Sequence, residues 1–158
     1  MGVWLRNRKI PLDRHYWRRF AIRCNNYQTS SIFKVMNIAI DYIKDPGNLD
    51  KERIVFAVKS DEQLGKYLIA ESKLLENARF SAQIKNTYWF PDQELKQGDT
   101  IVLYTKEGSD NVSKNDDGST TYFYYWGLSA PHLNENNPCV VLFESTWDVC
   151  AIQKPENL

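Results

Sequence analysis

The chain contains two histidines, His15 and His132, and neither stands in a spacing that builds a familiar catalytic site. No HExxH pair, which would offer two imidazoles to zinc, is present, and no GxSxG elbow presents a serine nucleophile. The glycine-rich cradles of nucleotide sites, the P-loop and GxGxxG, are absent too. His132 follows Ser129-Ala130-Pro131 and reads as a surface-loop residue rather than a general base. Asp110, Asn115, Asp116 and Asp117 crowd the polar stretch Gly108–Ser119, with oxygen donors of the kind calcium takes. Val112 falls where an EF-hand loop needs a ligand, and no closing glutamate follows. That stretch is therefore expected to be one long, exposed, mobile loop with a tight Asp117-Gly118 turn, and to bind no metal. Cys24, Cys139 and Cys150 lack CxxC spacing and are expected to be reduced, buried structural thiols. A hairpin turning near Glu144-Ser145 would bring Cys139 and Cys150 opposite each other, but no disulfide is expected. The sequence thus predicts neither cofactor nor enzyme, and only an unrecognised carboxylate pair of glycosidase type stands as the catalytic alternative.

Chemistry of another kind is offered by Thr121-Tyr122-Phe123-Tyr124-Tyr125-Trp126-Gly127. Strand alternation puts Phe123 and Tyr125 on one face and Tyr122, Tyr124 and Trp126 on the other. A sandwich strand needs one apolar face, so large rings on both require cover by another part of the chain or by a partner. The long loop and Trp17 and Phe20 near the N-terminus are candidates for the first. Tyr122, Tyr124 and Trp126 are the predicted protein-binding residues, because tyrosine and tryptophan supply large, rigid contact area.

The charge balance supplies a second candidate. The 20 basic and 20 acidic residues cancel, but unevenly. Residues 1–35 hold eight basic groups against one acidic, a net of +7; residues 36–158 hold twelve against nineteen, a net of −7. A basic arm on an acidic body suits nucleic acid, an anionic membrane surface or an acidic partner. Arg14, Arg18, Arg19 and Arg23 are the residues expected to make that contact. Trp17, Phe20, Ala21 and Cys24 recur at helical spacing after a Pro11-Leu12-Asp13 start, which predicts a short amphipathic helix. So short a helix is marginal alone and must dock, most simply on the chain's own acidic body. The composition changes at Met36, so a translation start there is an alternative.

The elements that must position these residues are strands. At 158 residues the chain fits one domain, and 42% hydrophobic with 25% charged residues is ordinary globular usage. The apolar runs are far too short for a membrane helix, and no secretory signal is expected. Ile38, Ile40 and Tyr42 alternate before the turn Asp45-Pro46-Gly47-Asn48; Ile54, Phe56 and Val58 follow, then Tyr67 and Ile69. Residues 72–83 fit either a helical turn or a strand. Residues 87–90, 100–106, 120–127, 139–144 and 147–153 complete eight or nine strands. The expectation is an all-β antiparallel sandwich or barrel over residues 36–158, preceded by the arm of residues 1–35.

Trp89-Phe90-Pro91, Leu95-Lys96-Gln97-Gly98-Asp99 and Ile101-Val102-Leu103-Tyr104 resemble the lamin-tail domain. In that family a strand and a loop with a leucine before a glycine and an acidic residue lead into an apolar strand. Asn134 to Asn137, Val140-Val141-Leu142 and Trp147-Asp148-Val149 are similar to its asparagine-rich turn, apolar strand and closing strand, so the resemblance runs over about residues 64–150. It implies an immunoglobulin-like β-sandwich used as a binding module, with no catalytic residue to carry over. Together these readings predict a non-catalytic, cytoplasmic protein-interaction module, one component of a larger complex. The alternatives are a nucleic-acid binder acting through the basic arm and an enzyme with an unrecognised carboxylate site.

Overall fold

A computed structural model of the chain describes residues 22–23, 36–75, 80–133 and 139–146. Arg14, Arg18, Arg19, His15, Cys24, Cys150, the turn at 134–137, the strand expected at 147–153 and most of the predicted helix lie outside the described residues. Arg23 is described in its backbone alone. Where that helix was expected to end, Ile22–Arg23 instead form a short strand.

Eleven strands are described: β1 (Ile22–Arg23), β2 (Ile38–Lys44), β3 (Arg53–Val58), β4 (Glu62–Gln63), β5 (Tyr67–Ser72), β6 (Lys85–Trp89), β7 (Glu94–Leu95), β8 (Thr100–Tyr104), β9 (Asn111–Lys114), β10 (Thr120–Tyr125) and β11 (Cys139–Glu144). They form a six-stranded sheet in the order β1-β2-β3-β8-β10-β9, a three-stranded sheet β11-β5-β6, and the small pair β4-β7. The described residues are all-β, as alternation predicts, apart from a 3-10 turn at Leu64–Lys66. Among the described residues no helix is long and apolar enough to cross a membrane.

One core draws on the two larger sheets. Ile38 and Ile43 of β2, Ile54, Phe56 and Val58 of β3, and Ile101 and Leu103 of β8 join Tyr67 and Ile69 of β5 in a single buried cluster. These are the inward positions that period-2 alternation assigns, with one correction. Tyr42 was expected beside Ile38 and Ile40. A β-bulge between Ile40 and Tyr42 inserts Asp41, so the pattern slips by one residue. Ile43 then enters the core, and Tyr42 stands opposite Val55 on the other face.

A second correction concerns pairing. The strands were expected to be antiparallel throughout, yet β8 and β10 run parallel, Thr121 beside Thr100 through Tyr125 beside Tyr104. The reason lies in the stretch expected to be a loop. Asn111–Lys114 form β9, antiparallel to β10, and only the residues around Asp117-Gly118 turn. Asp117 Oδ1 accepts from the Ser119 backbone N–H at 2.9 Å and from its hydroxyl at 2.6 Å, which fixes that turn. The polar, exposed β9 takes the sheet edge, and the aromatic β10 returns between it and β8.

Glu52 ties these pieces together. It is fully buried, and its carboxylate accepts three backbone amides: Gly47 at 2.7 Å, His132 at 3.1 Å and Leu133 at 3.2 Å. Its carbonyl accepts from the Thr105 N–H at 3.2 Å. One side chain thus joins the β2–β3 turn to the segment that follows β10, and its backbone holds the end of β8. Hydrogen bonds to a charged group contribute roughly 1.5–3 kcal/mol each, and orphaned buried amides add to the loss. Glu52→Ala is expected to lower the unfolding free energy by about 3 kcal/mol in urea titrations, with Glu52→Gln losing less.

Candidate binding surface

The rings of β10 divide as alternation predicts, and the structure shows what covers each face. Tyr124 is 6% exposed and sits in the core cluster, with Phe90 at 5.8 Å between ring centroids. Phe90 also meets Phe56 at 5.5 Å and Tyr88 at 5.1 Å, edge to face, the geometry aromatic quadrupoles favour. Tyr122 and Trp126 are half-buried against the same cluster, Trp126 lying 6.1 Å from Tyr88. So the face assigned to a partner is first of all the core face. Burial leaves Tyr124 almost no area for contact, and the half-buried rings around it are Tyr88, Tyr122 and Trp126. Tyr88 was not among the predicted site residues, because the Tyr88–Trp126 contact joins positions distant in sequence. Burial, and then the charge of Asp110, push the Tyr88 phenol up to about 12. Burial foremost, and then the neighbouring Tyr88, Asp110 and Tyr122, raise Tyr124.

The opposite face carries a ladder of its own. Arg53 bonds Asp45 at 3.2 Å and lies 5.5 Å from the Tyr104 ring centroid; Tyr104 stacks on Tyr125 at 5.3 Å and 13°. A Cβ at Gly108 would run into the Tyr125 ring, so glycine is what lets that backbone lie against it. Tyr124 is therefore covered by the core, and Tyr125 by Tyr104 and Gly108.

Buried carboxylates are spent within the fold. Asp99 accepts from the Lys96 and Thr120 amides, each at 2.8 Å. Glu71 is buried, and its Oε1 lies 2.9 Å from His132 Nδ1 while its Oε2 accepts from Asn86 Nδ2 at 2.9 Å. His132, read as a loop residue, thus meets a carboxylate 61 positions away, a separation at which no local motif can show it. A carboxylate on Nδ1 orients an imidazole as in a hydrolytic triad, but no hydroxyl or thiol of the described residues bonds the other ring nitrogen. A pocket of about 120 Å³ opens beside Glu71, lined by Ser72, Lys73, Ser81, Gln83 and Lys85. Cys139 is a free, half-buried thiol whose pKa burial raises, which disfavours the nucleophilic thiolate.

Neither protein-family models nor curated proteins yield a match to the chain.

Glu62 supplies a pH test of the framework. Its carboxylate accepts from Lys66 Nζ, the Gln63 N–H and Asn37 Nδ2, each at 2.8 Å. Burial by itself raises its pKa; these donors outweigh burial and hold it near 2, down from 4.5. The stabilisation is present in full above the unfolded value and is lost as pH falls through the folded one. Unfolding free energy is expected to fall by on the order of 2 kcal/mol over that range, discounted because Lys66 is half exposed. In acid titrations of stability, Glu62→Gln should remove that part of the slope.

Proposed function

We propose that the chain is a non-catalytic protein-interaction module on an immunoglobulin-like, lamin-tail-like β-sandwich, working in the cytoplasm as one component of a larger complex. The observation that carries this reading is the aromatic margin of Tyr88, Tyr122 and Trp126. Its rings are anchored on the core at one edge and open to solvent at the other, which pre-pays their ordering. Large rigid rings held in this way are the residue types that dominate protein interfaces. Asp110 raises the Tyr88 phenol from nearby, so a partner segment bearing arginine or lysine complements the margin in charge and by cation–π contact.

A nucleic-acid reading rests on Arg14, Arg18, Arg19 and Arg23 of the basic arm. The backbone of Ile22–Arg23 pairs with β2, which attaches that arm to the edge of the six-stranded sheet. The outer face of the sheet offers bases little to stack on, since Arg53 and Tyr125 already flank Tyr104.

The test is capture by the full-length chain, with protein and nucleic acid identified together. A discrete protein partner is expected, with Trp126→Ala weakening its binding roughly tenfold or more per folded molecule, the loss typical of a hot-spot ring, the folded fraction being measured alongside because Trp126 also packs against the core cluster. Tyr124→Ala is expected instead to cost about 3–4 kcal/mol of folding stability. Salt-sensitive nucleic acid that depends on the four arginines, with no protein partner, would move the function to the arm.

A further inference from the structure

Among the described residues, β9 pairs with β10 and with no other strand, and all four of its residues are exposed. Its ladder is set by the turn. The Asn115 N–H donates to the Ser119 carbonyl at 2.9 Å, and beyond it Ser113 stands opposite Thr121 and Asn111 opposite Phe123. In an antiparallel pair, bonded and non-bonded positions alternate along the strand. Residues 111, 113 and 115 therefore spend their backbone groups on β10. The N–H and C=O of Val112 and Lys114 point outward from the edge of the sheet.

An open row of backbone groups is a template for a further strand, and folds blunt it with proline, bulges or an outstanding lysine. β9 has no proline, and its register against β10 runs without a shift. Its one lysine is turned back across the hairpin, Lys114 Nζ donating to the Thr120 hydroxyl at 2.7 Å. Val112, on the same face as Tyr122, is 58% exposed, more than any other large hydrophobic side chain among the described residues. At β6, an edge of the three-stranded sheet, the protection is in place: the register shifts opposite Ala70 and Glu71, and Asn86 has a φ of 42°.

The surrounding charges select the partner. Residues 106–117 hold two basic and four acidic groups, a net of −2. Lys106 lies 5.7 Å from the Tyr104 ring centroid, and Lys114 is held by Thr120. Glu107, Asp110, Asp116 and Asp117 are exposed, and none forms an ion pair among the described residues. Two copies joined edge to edge would bring these carboxylates together, whereas a segment carrying lysine or arginine meets them with opposite sign.

We propose that β9 receives its partner by strand addition. An extended segment of a partner protein, alternating lysine or arginine with apolar residues, pairs with the outward N–H and C=O of Val112 and Lys114 and lays an apolar side chain beside Val112 and Tyr122. The proposal rests on the protein-interaction reading and gives that partner a conformation and a charge.

The probe is a short labelled peptide alternating lysine and valine, added to the full-length chain and followed by fluorescence anisotropy and amide NMR. Binding is expected to protect the Val112 and Lys114 amides from hydrogen exchange. The same peptide N-methylated along its backbone keeps its charge and is expected not to bind. Val112→Pro removes an outward N–H that β10 does not use, and should weaken binding roughly tenfold or more while the β10 amides stay protected. Val112→Lys, which sets a guarding charge on the edge, should act alike. Asp110→Asn with Asp116→Asn should weaken binding about fivefold. The proposal is overturned if the peptide leaves both amides exchanging freely, if the N-methylated peptide binds equally, or if folded Val112→Pro binds as the wild type does. It is equally overturned if the two amides are already protected in a concentration-dependent dimer of the free chain. A captured protein partner that is lost with Trp126→Ala but kept with Val112→Pro would remove strand addition and leave the interaction reading standing.

Discussion

A buried carboxylate without a cation beside it is costly unless hydrogen bonds replace its lost hydration. Glu52 meets that condition with three backbone amides, from Gly47, His132 and Leu133. The constraint acts in both directions. The amides need the carboxylate, because turn and connection backbones buried at that point have few other acceptors. The carboxylate needs the amides, so the β2–β3 turn and the segment after β10 must come to the same place. That meeting sets His132 against Glu71 and Leu133 in the core, and the remaining packing builds around it.

The placement of β10 follows from the same economy of burial. A strand with large rings on both faces is poorly suited to a sheet edge, where one side stays wet. The parallel insertion beside β8 gives Tyr124 the core and gives Tyr125 the ring of Tyr104. The polar β9 takes the exposed edge instead, with Asn115, Asp117 and Ser119 consumed in its turn. What is left over at the margin of the aromatic cluster is the surface on which the interaction reading rests.

The aromatic margin is an extension of the core, stiffened by Phe90 and Tyr88.

Alternation alone was enough to make the chain all-β and to put Ile54, Phe56, Val58, Tyr67 and Ile69 in the core, because residues two apart on a strand share a face whatever lies around them. The same local logic grouped Tyr122, Tyr124 and Trp126 correctly, but it holds no information about which face turns inward. It also missed the bulge at Asp41, which leaves no mark in a hydrophobic pattern, and the strand β9, whose residues carry no apolar face at all. Contacts across long separations were beyond it altogether: Glu71 with His132, Tyr88 with Trp126, and Glu52 with the amides of residues 132 and 133. Period and propensity act over a few residues and are written in the chain; the balance of buried charge, ring packing and strand order is settled only when distant segments compete for the same interior.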